Sequence, residues 1–384
     1  MARARNGGSV KPKLNILAYG PTGAGKSSIL LQMAYFKRED GTPWRILLID
    51  NESGGADEAV DELERHGVDT RNIYIVYTQS VKETKDYINK VRDHEPFYEL
   101  DECGDETDEI VKDAYGEQFV ADAIIVDGTS VLKLTNTQSL LDLSRKRNKI
   151  KAEKSGATAE EKFVATANAN LELKDYSQLN YAGQDLVLTL MACGVNVGIT
   201  AREKDEQISV QTEDGKVTSV YTGKKTFDSY KGMDYNVKTI LRMFRDDNDQ
   251  VCCVVEKDRT KRHPVGTILE DPSLLDWEEV VTKGKGNRDF VIKNDLDKAI
   301  EADQKIFEKQ MLGADYVSET KADTSADDVA ALKAEIKAAI QKLSPVEKKE
   351  MQGKLTSANL PTAYTKVDSV DTLTKILGIV NGEG

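Results

Sequence analysis

Gly20, Pro21, Thr22, Gly23, Ala24, Gly25, Lys26 and Ser27 stand in unbroken order behind a short apolar run that begins at Leu14. The glycines let the backbone curl until successive N–H groups point inward, a geometry that receives a triphosphate. Lys26 adds a point charge for the β- and γ-phosphates, and the Ser27 hydroxyl is placed to ligate Mg²⁺. Ser28 and Ile29-Leu30-Leu31 continue as a helix whose positive dipole end faces the same oxygens. This pattern implies binding of ATP or GTP, with Mg²⁺ as the accompanying ion.

Such chemistry also needs carboxylates beside the phosphates. Asp127 closes the aliphatic run Ala123-Ile-Ile-Val, which places it at the carboxyl edge of a sheet, where it holds Mg²⁺ together with Ser27. Glu52 follows a second such run, Arg45 to Asp50, at a position that overlooks the γ-phosphate and can polarise the attacking water. Thr200 and Arg202 follow a further strand and can sense the γ-phosphate, although Arg202 also reads as a surface arginine.

The elements that position these residues are legible as alternation. Apolar runs at 14–20, 45–50, 72–78, 123–127 and 195–200 alternate with amphipathic helices at 59–67, 82–91 and 181–193. Runs of five or six aliphatics separated by helices imply parallel strands covered on both faces. Asp214-Gly215 predicts a hairpin over 208–221, and 238–244 with 251–256 predicts an antiparallel pair. The predicted organisation is a flexible basic arm (1–12), a core (13–285), a helix and linker (286–325) and a small helical domain (326–384). Helices are expected at 295–310, 327–343, 346–355 and 369–378.

Two charged stretches interrupt the pattern. Residues 92–122 carry twelve acids against Arg92 and Lys112 and read as a solvated insertion, with a metal site or DNA mimicry as alternatives. Arg145 to Lys154 carries six positive charges and one negative, either a solvated basic helix face or a polyanion contact. A net charge of −13 over 384 residues excludes a wholly basic nucleic-acid coat. The four cysteines have no metal-ligand spacing, and no run approaches membrane-span length, so a reducing cytoplasm is expected and a membrane partner is not.

The run Ile49-Asp50-Asn51-Glu52, then His66-Gly67-Val68-Asp69 and the stretch from Asn72 to Glu83, resembles the RecA/Rad recombinase ATPases. That resemblance implies an α/β, RecA-like P-loop core of mostly parallel strands with antiparallel strands at the end, here followed by the small helical domain. It also implies that Glu52 activates water. Lys257-Asp258-Arg259 resembles the Lys-Asn-Arg element of RadA and DnaB-type ATPases, which implies that Lys257 and Arg259 reach the γ-phosphate of a neighbouring subunit. The likeness spans about residues 13–270. It departs at Thr200-Ala201-Arg202, where recombinases carry Asn-Gln, in the acidic insertion, and in lacking a standard N-terminal recombinase domain. With these features the chain is most similar to phage-encoded RecA-like ATPases associated with single-strand annealing, which would place it in a host cytoplasm.

In that family the loops after the fourth and fifth strands touch single-stranded DNA. The resemblance therefore implies DNA contact by Arg145, Lys146, Arg147, Lys149 and Lys151, and by Lys224 and Lys225 in the second loop, where Tyr221, Tyr230 and Tyr235 offer stacking. A homo-oligomer, ring or filament, is implied as well. The C-terminal domain is a candidate dock for a single-strand-binding or other replication or recombination protein. A ring helicase or translocase, and a scaffold with little turnover, are the alternatives to a DNA-stimulated ATPase of recombination.

Overall fold

The computed structural model describes residues 12–52, 54–100, 106–212, 214–215 and 217–282, with parts of 332–380. Residues 1–11 of the predicted basic arm, the predicted helix at 295–310 and the linker lie outside these residues. So does most of the predicted helices at 327–343 and 346–355.

Six strands run parallel: β1 (Asn15–Gly20), β2 (Ile46–Asp50), β3 (Ile73–Tyr77), β6 (Ala123–Asp127), the first part of β7 (Asn196–Gln211) and β9 (Thr239–Arg245). Their side chains alternate between two cores. Leu17, Tyr19, Leu47 and Ile49 face one side, while Ile16, Ala18, Ile46 and Leu48 face the other. Burial on both faces is why these strands read as unbroken aliphatic runs. Each of the leucine and isoleucine side chains contributes roughly 1.5–3 kcal/mol by leaving water.

Helices α1 (Lys26–Leu31) and α2 (Asp57–Arg65) cover one face. On the other lie α3 (Val81–Asp93), the first turns of α4 (Thr129–Lys154) and α6 (Leu173–Ala192). A short α5 (Ala159–Ala167) joins α4 to α6. Between α3 and β6 lies the hairpin β4 (Tyr98–Leu100) and β5 (Glu106–Ile110). After β7 come β8 (Val217–Asp228), α7 (Met233–Asn236), β10 (Val251–Asp258), β11 (Ile268–Glu270) and α8 (Glu278–Thr282).

The strand order is β11-β10-β9-β1-β7-β6-β2-β3, with β8 paired to β7 and with β10, β11 and β8 antiparallel to their neighbours. The strand bearing Asp127 is thus separated from the phosphate-loop strand by β7, and the mostly parallel sheet ends in antiparallel strands, as the RecA-like fold requires. The chain divides into two compact units, 1–296 and 297–384. In the second, α9 (Val370–Val380) contributes Leu373, Ile376 and Val380 to a small core with Ile336 and Leu355.

Three sequence expectations change. The helix after the phosphate loop is brief, giving way at Gln32 to a 3₁₀ turn through Tyr35. The acidic insertion is not solvated throughout: Phe97, Val111, Phe119 and Ala121 are buried in the core beside α3, and Asp113 is buried against Arg45. Phe97, Val111, Phe119 and Ala121 punctuate the acids and anchor the stretch to the core, while the described residues of the β4–β5 hairpin and the turn around Tyr115 to Gln118 stay in water. The predicted fifth strand and hairpin are one structure, because β7 continues past Thr200 and pairs with β8 from Arg202 onward. Among the described residues, no helix is long and apolar enough to cross a membrane.

Candidate active site

The order β2-β6-β7-β1 brings the ends of four parallel strands side by side, and the phosphate loop, Glu52, Asp127, Thr200 and Arg202 all sit on that carboxyl edge. Gly20 ends β1 where a Cβ would lie 2.1 Å from the Met243 carbonyl oxygen, so only glycine lets the chain leave the sheet there. Gly23 (φ 75°) and Gly25 (φ 81°) take left-handed conformations that turn the loop back toward α1. From the end of β9, Arg245 Nε donates to the Gly23 carbonyl at 2.8 Å and braces the loop.

Lys26 Nζ donates to the Pro21 carbonyl at 2.7 Å, folded over its own loop. Burial holds its ammonium below the usual lysine range, and the nearby Glu52 and Asp127 carboxylates oppose that shift. Asp127 is buried and accepts hydrogen bonds from the Thr200 and Ser27 hydroxyls. Desolvation raises its carboxyl above the usual carboxylate range, although both hydrogen bonds favour the ionised form. A buried carboxylate bonded to a serine hydroxyl, beside a lysine, is an all-oxygen pair suited to a hard divalent cation such as Mg²⁺.

Glu52 is positioned by its predecessors. Asp50 is buried and accepts from the backbone N–H of Glu52 and of Gly54, each at 2.7 Å, which bends the chain off the strand end. Asn51 donates its side-chain amide to the Thr78 carbonyl at 2.6 Å. The Glu52 carboxylate accepts from Arg202 Nε at 3.0 Å. Arg202 is itself fixed, its backbone N–H donating to Ser130 Oγ at 2.8 Å.

Gly128 is a residue that motif reasoning passes over. Its φ is 97°, and a Cβ there would sit 2.5 Å from Glu52 Cγ. A glycine directly after a strand-terminal aspartate, before Thr129-Ser130, was the available signal. Gly128 N–H and the Thr129 hydroxyl also bond Thr200, at 2.7 and 2.8 Å, locking β6 to β7.

The structure separates Lys257 and Arg259 from this edge. Both lie at the far end of β10, where Arg259 N–H bonds the Lys238 carbonyl and Lys238 N–H bonds the Asn15 carbonyl, at the beginning of β1. Gly20 is five residues farther along, roughly 16 Å at strand rise. Arg259 is exposed. Lys257 Nζ is held by the carbonyls of Asp234 and Val237, so its ammonium is engaged within its own chain.

The DNA candidates divide. Arg145 pairs with Asp142 at 2.9 Å, Arg147 with the buried Asp175 at 2.8 Å, and Lys225 with Asp205 at 2.8 Å. Lys146, Lys149, Lys151 and Lys224 are exposed. Tyr221 and Tyr235 stand in solvent, whereas Tyr230 is buried against Gly183 and offers no stacking face.

No family model and no curated relative matches the chain. Among solved structures it is similar to a KaiC-like protein, PH0186, from Pyrococcus horikoshii OT3. The identity is 12% and the TM-score 0.35, over 68% of this chain and 91% of that one. A likeness this distant carries no weight for function.

Proposed function

We propose that the chain is an Mg²⁺-dependent ATPase of RecA-like type that assembles head to tail and acts on single-stranded DNA in recombination or annealing. The observation that carries the reading is the convergence of Lys26, Ser27, Asp127 and Glu52 at one sheet edge, from three separate strand ends. Lys26 and the loop N–H groups bind the phosphates. Ser27 and Asp127 hold Mg²⁺, which supplies charge neutralisation at the β- and γ-phosphates. Glu52 accepts a proton from the attacking water, and Arg202 swings from Glu52 to the γ-phosphate when nucleotide is present.

Placement of Arg259 supports a composite site. It lies at the amino edge, beyond reach of its own phosphate loop at the carboxyl edge, so it serves only the loop of another copy. DNA contact is assigned to the β7–β8 hairpin, which extends past the sheet and carries exposed Lys224 and Tyr221.

Steady-state Mg·ATP turnover and nucleotide affinity, measured on the same samples, test the catalytic reading. Lys26→Ala loses nucleotide binding. Glu52→Gln retains it while turnover falls about a hundredfold or more, the scale of a lost general base. Normal turnover in Glu52→Gln removes Glu52 from the mechanism.

A further inference from the structure

The tip of the α4–α5 arm and the acidic hairpin are left unused by the nucleotide chemistry. We propose that the arm tip docks on the β4–β5 hairpin of a second copy of this chain, an interface that rests on the head-to-tail arrangement above and adds a second contact to it. The first turn of α4 is buried against the root of the β7–β8 hairpin, where Ser130 bonds the Asp228 carbonyl, but the helix runs 26 residues, ~39 Å at helical rise. Its far end is joined to the following chain by polar bonds: Ser144 Oγ to the Asn170 carbonyl, Arg147 to Asp175, and Asn148 to the Ala165 carbonyl. No residue of α5 is buried. Leu143, Ile150, Phe163 and Val164 therefore stay in water, Phe163 at 73% exposure. Lys146, Lys149, Lys151 and Lys154 stand exposed beside them, and no ion pair among the described residues engages these four.

The hairpin carries the complementary surface. Leu100 and Ile110 are exposed among Glu99, Glu106, Asp108 and Glu109, of which Glu106 is held by Lys90. An apolar centre ringed by charge is the anatomy of a protein interface. Topology puts the two surfaces at opposite ends of the sheet. The arm leaves from the carboxyl end of β6. Helix α6, which ends at the amino edge just before β7, is 20 residues or ~30 Å long, against roughly 16 Å for the parallel strands. Its first turn, tied to the arm by Arg147 and Asp175, therefore projects past the carboxyl edge. The β4–β5 hairpin instead lies between the end of α3 and the start of β6, at the amino edge. Contact between opposite ends is heterologous and joins copies head to tail. Arg259 at the amino edge and the phosphate loop at the carboxyl edge require the same direction. Phe163 and, beside the Asp175 that holds Arg147, Tyr176 are exposed among aliphatic side chains, a sparse stacking surface. The acidic hairpin supplies the complementary charge, which favours protein over DNA as the occupant.

Sedimentation velocity of the full chain with a slowly hydrolysed ATP analogue reads the contact. The variants are K146E/K149E/K151E on the arm and E99K/D108K/E109K on the hairpin. Each alone weakens self-association by about ten- to a hundredfold, the sum of three rim pairs, and the milder K146Q/K149Q/K151Q moves the same way. Both reversals in one chain restore assembly. Binding of a fluorescent ATP analogue stays intact in all of them, which separates failure of this contact from failure of the nucleotide site. The proposal is overturned if neither reversal changes assembly or if the doubly reversed chain does not recover. Loss of oligothymidylate retention in the arm variant, with assembly unchanged, makes DNA the occupant instead.

Discussion

Gly128→Ala perturbs stability and chemistry through a single methyl group. At φ 97° an alanine is strained, costing about 1–3 kcal/mol. Its Cβ would also lie 2.5 Å from Glu52 Cγ, and forcing a methyl into filled space costs about 1–3 kcal/mol more. Glu52 is tethered through the Asp50 turn and Arg202, so relief comes from swinging its carboxylate away from the γ-phosphate side. The expected result is a loss of roughly 2–6 kcal/mol, a melting point lower by about 5–20 °C, and turnover reduced toward that of Glu52→Gln. Glu52→Ala in the Gly128→Ala background recovers the overlap cost but not the backbone strain, so a double-mutant cycle in urea yields a coupling near 1–3 kcal/mol. Gly128→Ala with wild-type stability and turnover, or a coupling of zero, refutes this account of how Glu52 is placed.

Asp127→Asn tests the opposite relation between stability and function. Burial raises the Asp127 carboxyl, so the folded state holds its proton more tightly than the unfolded state does. Ionised Asp127 therefore destabilises the fold above its own titration point, and that penalty fades as pH falls through it. Asp127→Asn melts higher than wild type near neutral pH, the gap closes in acid, and Mg²⁺-dependent turnover is lost; a lower melting point at neutral pH contradicts this. Gly183→Ala drives a Cβ to 2.0 Å from the Tyr230 ring and costs about 1–3 kcal/mol in denaturant melts. Its nucleotide affinity stays at the wild-type value, because Tyr230 belongs to the core on one face of the sheet while Ala24 of the phosphate loop and α1 pack on the other; a parallel loss of affinity refutes that separation.

What the sequence showed and concealed has physical causes. Strands buried on both faces leave an aliphatic signature, so β1, β2, β3, β6 and the start of β7 are readable, and with them the strand ends bearing Glu52 and Asp127. Beyond Thr200 that signature stops, because the rest of β7 is paired on one side only and stands in water, which hides its continuity with β8. The acidic stretch reads as loop because its acids outnumber Phe97, Val111 and Phe119, yet those three side chains fix its course through the core. Ion pairs made at long range, Arg147 with Asp175 and Arg202 with Glu52, leave no local trace at all. The left-handed turn at Gly128 leaves only the glycine.

A mixing experiment tests the central claim, that each site is completed by another copy, most directly. Arg259→Ala chains retain an intact phosphate loop, and Lys26→Ala chains retain an intact Arg259; each alone is inactive. A finger residue supplied in trans contributes on the order of 10³–10⁵ in rate. Titrating one variant into the other, in samples shown by sedimentation to co-assemble, should restore Mg·ATP turnover at interfaces that pair the intact loop with the intact arginine. Absence of recovery at every ratio contradicts the composite site.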